Sequence, residues 1–215
     1  MSFDNELLQG SIRQESTFLR VIRINEGIKR ISDLSFNIRL RAINTLIFAY
    51  KHQESRSGIP VISAEMIKFS IELEEHAVAI TRVAHDMLRH ITWFTKRDRM
   101  QQYFERVSNL LRRIENREAA DGVLGKIRGG YSVVRTRTFT STAEGMKHLF
   151  AGINVLLRFC MTGRVLGTMT RIESARSGRD RTYFMKLADD FRFAIKETEG
   201  ILRTLAEIDR DKDKR

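Results

Sequence analysis

The chain has 215 residues, 30% of them charged and 42% hydrophobic, a globular composition that excludes general disorder and can enclose a core. Its formal net charge of +11 and pI near 10.2 permit attraction to nucleic acid, anionic lipid or an acidic protein surface, without choosing among them. A single cysteine, Cys160, excludes an internal disulfide, and a single proline, Pro60, leaves almost the whole chain free to be helical.

Other absences narrow the expectation further. No apolar run approaches the roughly 18–20 residues that a membrane helix needs, and the opening MSFDNELLQG lacks the basic-then-apolar form of a signal peptide. With the lone thiol, this points to a cytoplasmic protein without a membrane span. Basic residues are spread along the chain among acidic ones, with no long like-charged block, zinc-finger spacing or RNA-binding signature. A solvated basic surface is therefore favoured over a dedicated nucleic-acid site.

Taken in order, the elements begin with a helix over 5–54. Its apolar seam is Ile24, Ile28, Ile31, Ser35, Ile38, Ala42 and Thr45, advancing by alternating steps of four and three. Gln53 to Gly58 carries turn formers, and Pro60 suits the first turn of a second helix over 60–116. The second seam reads Ile59, Ile62, Met66, Phe69, Leu73, His76, Ile80, Val83, Met87, His90 and Phe94. Residues 121–140, with Gly122, Gly125, Gly129 and Gly130, predict a linker, and Ser141-Thr142-Ala143-Glu144 reads as a capping box. A third helix then covers 141–177, with Leu149, Ile153, Leu156, Cys160, Gly163 and Gly167 on its seam. Ser177-Gly178 opens a turn to about 182. A fourth helix over 183–209 carries Phe184, Leu187, Phe191, Ala194, Thr198, Ile201, Leu205 and Ile208. The charged tail from Asp209 is expected to fray.

A shift of 125 residues superposes the halves without a gap: Ile28 falls on Ile153, Ile31 on Leu156, Ile59 on Phe184 and Met66 on Phe191. The expected fold class is all-α: an elongated, coiled-coil-like antiparallel four-helix bundle made of two tandem hairpins. Residues 1–120 form the first hairpin, with its turn near 53–59. Residues 121–140 are the linker, and 141–215 form the second hairpin, with its turn near 177–182, all in one continuous bundle.

The stretch ISDLSFNIRLRAINTLIFAYKHQESRSGIPVISAEMIKFS resembles the kinase-control hairpin tip of bacterial methyl-accepting chemotaxis receptors. The likeness rests on Ile31, Asp33, Leu40, Ala42, Asn44, Ile47, Ala49, Glu54, Gly58, Val61, Glu65 and Lys68. RIESARSGRDRTYFMKLADDFR forms a second copy through Ile172, Glu173, Ala175, Arg176, Gly178, Phe184, Ala188, Asp189 and Arg192. The resemblance implies that two hairpins in one chain mimic a receptor dimer. It also implies a tip that binds a chemosensory histidine kinase, a coupling protein, other receptors or another copy of itself. Phe36, Asn44, Lys51, Glu54, Glu173 and Arg176 are the partner-binding positions it implies. Phe48, Lys51 and Gln53 depart from the family's Glu, Arg and Gly in the first copy, and Met161 and Met169 from its Phe and Asn in the second.

The remaining chemistry-bearing residues favour plain roles. His76 and His90 on one seam suggest polar layers that set helix register, with a pH-sensitive layer or a metal ligand as sharper readings. Cys160 reads as a small buried thiol, and Gly163 and Gly167 as a site of close helix approach. Glu74-Glu75 lacks the small flanking residues of a methylation site. Arg128-Gly129-Gly130 lacks the Lys-Ser/Thr of a phosphate-binding loop, and no nucleophile motif or carboxylate pair marks a cleft. No enzyme, cofactor or metal is expected. A signalling adaptor is the leading reading, followed by a structural scaffolding bundle and then a basic nucleic-acid-associated bundle.

Overall fold

The computed structural model describes residues 2–51, 58–111, 117–178 and 180–210. Among these residues the fold is all-α, with four helices and no strand: α1 (Ser2–Lys51), α2 (Ile59–Leu111), α3 (Arg117–Arg176) and α4 (Arg181–Arg210). The helices pack as a bundle. At α2's start, Pro60 occupies the first turn, where its missing N–H removes no ladder bond, and the Ile62 N–H donates to the Gly58 carbonyl at 3.0 Å. At the end of α3, the Ser177 N–H and Oγ both donate to the Glu173 carbonyl at 3.1 Å. The Asp180 carbonyl then accepts from the N–H groups of Tyr183 and Phe184 at α4's first turn.

The largest departure from the sequence reading lies at 121–140. Where a linker is expected, α3 is already helical from Arg117, and Ser141 to Glu144 lie inside it rather than capping its start. A glycine costs a helix about 1 kcal/mol but keeps its N–H in the ladder; only proline would both remove a bond and clash, and the stretch contains none. A second departure concerns apolarity. Thr140–Arg176 is long and apolar enough to cross a membrane by length and composition, although the sequence reading finds no such run. In the same stretch Leu149, Ile153, Leu156 and Cys160 are buried, whereas Met161, Val165, Met169 and Ile172 are exposed.

The chain divides into two compact units, Met1–Val21 with Val83–Lys147, and Ile22–Arg82 with His148–Arg215. Each unit takes residues from both halves of the chain. In the first unit, Ala84, Met87, Ile91, Phe94 and Met146 are buried, and Gly145 lets α3 approach Met87: a Cβ there would lie 2.7 Å from its Sδ.

The second unit has the fuller core. On α1 the buried seam is Ile24, Ile28, Ile31, Ser35, Ile38, Ala42, Thr45 and Ala49. On α3, Leu149, Ile153, Leu156, Cys160, Gly163, Gly167, Thr170 and Ser174 are buried, each 125 residues after its α1 counterpart. The α2 residues Ile59, Ser63, Met66, Ser70, Leu73, Ala77 and Ile80 stand in the same relation to Phe184, Ala188, Phe191, Ile195, Thr198, Leu202 and Leu205 of α4. The internal repeat is therefore a repeat of burial.

This burial pattern corrects the second and fourth seams. Ala77 is buried where His76 is expected, and His76 is exposed. In the first unit, Ala84 and Ile91 are buried, Val83 is half-buried and His90 is exposed. On α4, Ile195 and Leu202 replace the half-buried Ala194 and Ile201. Steps of three-then-four and four-then-three share one average, so the period leaves two candidate faces. Burying an imidazole without a partner costs free energy that burying Ala77 does not, and the helix turns accordingly. Exposed, the two histidines form no polar layer in the core and set no register there.

Candidate functional site

Of the expected partner-binding residues, Lys51, Glu173 and Arg176 lie at the ends of α1 and α3, while Asn44 lies about two turns and Phe36 about four turns before the end of α1. Ala49, Ile59 and Phe184 form a buried cluster there, and Phe48 packs against it. The Phe48 ring stacks on Tyr183 at 4.3 Å and meets Phe184 edge-on at 5.8 Å. A Cβ on Gly58 would lie 2.8 Å from Cδ of Glu173. These contacts bring the start of α2 beside the end of α3, and the end of α1 beside the start of α4. Gly58, Val61, Ile62, Met169, Ile172 and Glu173 line a shallow, almost wholly apolar depression at that end.

Of the six expected partner-binding residues, five can be placed. Phe36 is exposed, with the Arg39 guanidinium 5.7 Å from its ring centre. Asn44 and Lys51 are exposed, and Lys51 is the last residue of α1. Glu173 is half-buried and pairs at 3.1 Å with exposed Arg176, its neighbour three residues on. Glu54 lies outside the described residues, as does Gln53. Glu74, the acidic residue weighed for methylation, instead pairs with Arg39 at 2.8 Å.

The sequence reading missed a second apolar stripe. Phe36, Leu40, Ile43, Ile47 and Tyr50 stay exposed along α1, between 38% and 62% of their surface open to solvent. On α3 the corresponding surface is Met161, Val165, Met169 and Ile172, again exposed. Three of these pairs, Phe36 with Met161, Leu40 with Val165 and Ile47 with Ile172, sit 125 residues apart. The signal was present in the sequence: 36, 43 and 50 follow 35, 42 and 49 by one residue, a second heptad beside the first. The two copies together leave a long line of apolar side chains in water.

The electrostatics repeat as well. Arg39–Glu74 joins α1 to α2, and the equivalent Arg164–Glu199 pair joins α3 to α4. Partial burial pushes the Glu199 carboxyl up, but hydrogen bonds from Arg164 and Arg203, with their charges, outweigh it and hold the group below its ordinary value. The other two interfaces differ from each other. Between α1 and α4, Arg41 pairs with Asp190 and Arg30 with Glu197. Between α2 and α3, Phe69 stacks on Phe159 at 4.7 Å, and Thr170 Oγ1 reaches the Met66 sulfur at 3.7 Å.

Cys160 is buried, and burial together with the Glu199 charge, partly offset by Arg164, raises its thiol to about 11. A neutral, enclosed thiol of this kind is a packing residue rather than a nucleophile. Exposed His76 lies edge-on to Phe159 at 5.7 Å. Among the described residues, no three His, Cys, Asp or Glu side chains gather as a metal site. Comparison with family models, curated proteins and solved structures finds no match to this chain.

Proposed function

We propose that this chain is a receptor-like signalling adaptor of the cytoplasm whose hairpin end binds a chemosensory histidine kinase or its coupling protein. In this reading its helices form an elongated antiparallel bundle of two tandem hairpins, imitating a receptor dimer within one polypeptide. The observation that carries the reading is the exposed apolar stripe, repeated on α1 and α3 over the residues that bear the family resemblance. Phe36, Asn44, Lys51, Glu173 and Arg176 lie on or beside it, and Glu54 belongs to the same turn by sequence.

The chemistry asked of this surface is recognition. Apolar side chains such as Ile47, Val61 and Ile172 supply burial at about 25 cal/mol per Å² covered. The Arg176–Glu173 pair adds orientation. In water such a pair contributes at most about 1 kcal/mol to folding, whereas a partner that excludes water gives each charge more weight. Arg176→Ala with Glu173→Ala is therefore expected to leave the melting temperature within a few degrees of wild type. The same double variant should weaken kinase or coupling-protein binding by about tenfold or more, measured by calorimetry. Equal affinity of wild type and double variant would remove this end from the binding surface. Binding of neither protein, with the stripe mediating association between copies, would assign the chain to scaffolding instead.

A further inference from the structure

A different surface, on the last part of α2 in the first unit, carries the second conclusion. The buried seam there runs Ala84, Met87, Ile91, Phe94, and its next steps are the half-buried Asp98 and Gln101. The core face thus becomes polar after Phe94. The apolar residues move to another face: Trp93, Met100, Tyr103, Phe104, Val107 and Leu110, each 47% to 62% exposed. Trp93 to Met100 to Val107, and Tyr103 to Leu110, are heptad steps, so these side chains form one stripe along the helix. Lys96, Arg97, Arg99 and Arg106 are exposed among them, and the Arg97 guanidinium lies 5.2 Å from the Trp93 ring.

We infer that this face of α2 docks onto an anionic lipid surface. Aromatic and aliphatic side chains on one side of a helix, with arginine and lysine beside them, suit the boundary between headgroups and acyl chains. The 18 residues from Trp93 to Leu110 span about 27 Å, enough to lie in the bilayer plane as one inserted edge. Charge decides between occupants. A second copy brings a chain of net charge +11 against the same arginines, whereas an acidic headgroup layer complements them.

Trp93 is the chain's single tryptophan, so its fluorescence reports on this face alone. The full-length protein is mixed with vesicles of phosphatidylglycerol and phosphatidylcholine, and separately with pure phosphatidylcholine. The expected result is co-sedimentation and a blue-shifted Trp93 emission with the anionic vesicles only. Phe104→Asp with Val107→Asp should abolish the shift, while Arg97→Gln and Arg99→Gln each weaken binding roughly fivefold. All four positions are exposed, so circular dichroism should match wild type. Sedimentation without a Trp93 shift would reduce the interaction to surface charge and overturn the inference. So would a vesicle-independent dimer that the double Asp variant dissolves, which would assign the stripe to a second copy.

Discussion

Gly163 and Gly200 both sit inside helices of the second unit, in opposite surroundings. A Cβ on Gly163 would lie 2.6 Å from Cδ1 of Ile195 and 2.8 Å from Cζ of Phe69. Phe69 cannot yield easily, because it is stacked on Phe159 and packed edge-on against Phe191. Nothing lies within 4 Å of the corresponding point on Gly200. Alanine improves either helix by about 1 kcal/mol in propensity, but at Gly163 overpacking costs about 1–3 kcal/mol. Gly200→Ala should therefore raise the midpoint of urea unfolding and Gly163→Ala should lower it. A rise in both would show that the Phe69 layer has slack. The close approach at Gly163 was legible as a small residue on a seam with Gly167 four residues on. Its partners were not, since Ile195 was expected one residue earlier on its seam, at Ala194.

At the scale of the element, period and phase are separate pieces of information. Residues 24 to 45 on α1 were assigned correctly: Ile24, Ile28, Ile31, Ser35, Ile38, Ala42 and Thr45 are all buried. On α2, Ile80, Val83 and Met87 fit one phase and Ile80, Ala84 and Met87 the other; the expected seam follows the first, and the burial follows the second. Ala77→Asp should accordingly cost several kcal/mol, as a carboxylate without a partner in a packed layer, whereas His76→Asp should cost under about 0.5. Phe69→Asp belongs with the first, since Phe69 is buried among two other rings. Thermal unfolding of the three variants checks the phase directly; equal losses at 76 and 77 would contradict it. The exposed stripe beside Ser35, Ala42 and Ala49 escaped notice for a related reason. One helix can carry two apolar lines, and Leu40 and Ile47 were read only as points of family likeness. The helix through 121–140 was hidden by its glycines, which weaken a helix without ending it.

For the molecule as a whole, the repeat makes a quantitative claim. Arg39–Glu74 and Arg164–Glu199 occupy equivalent positions in the two halves and share no partner. Arg39→Ala and Arg164→Ala should each lower stability by less than about 1 kcal/mol, and the double variant by their sum to within about 0.5. Chemical denaturation measures this, and a larger discrepancy would mean that the two pairs act as one network. The halves are not equivalent everywhere, however. The partners that correspond to Arg41 and Asp190 are Leu166 and Glu65, and those that correspond to Arg30 and Glu197 are Val155 and Glu72. Ionic links thus hold α1 to α4, and the matching α2–α3 contact has no arginine in those places. In a bundle of two identical chains every substitution appears twice, so each new contact must suit both copies of the interface at once. A repeat carried within one chain is free of that obligation. A mutation then alters one seam and spares its twin, and one side can specialise in holding the bundle together while the other changes what it offers to the outside.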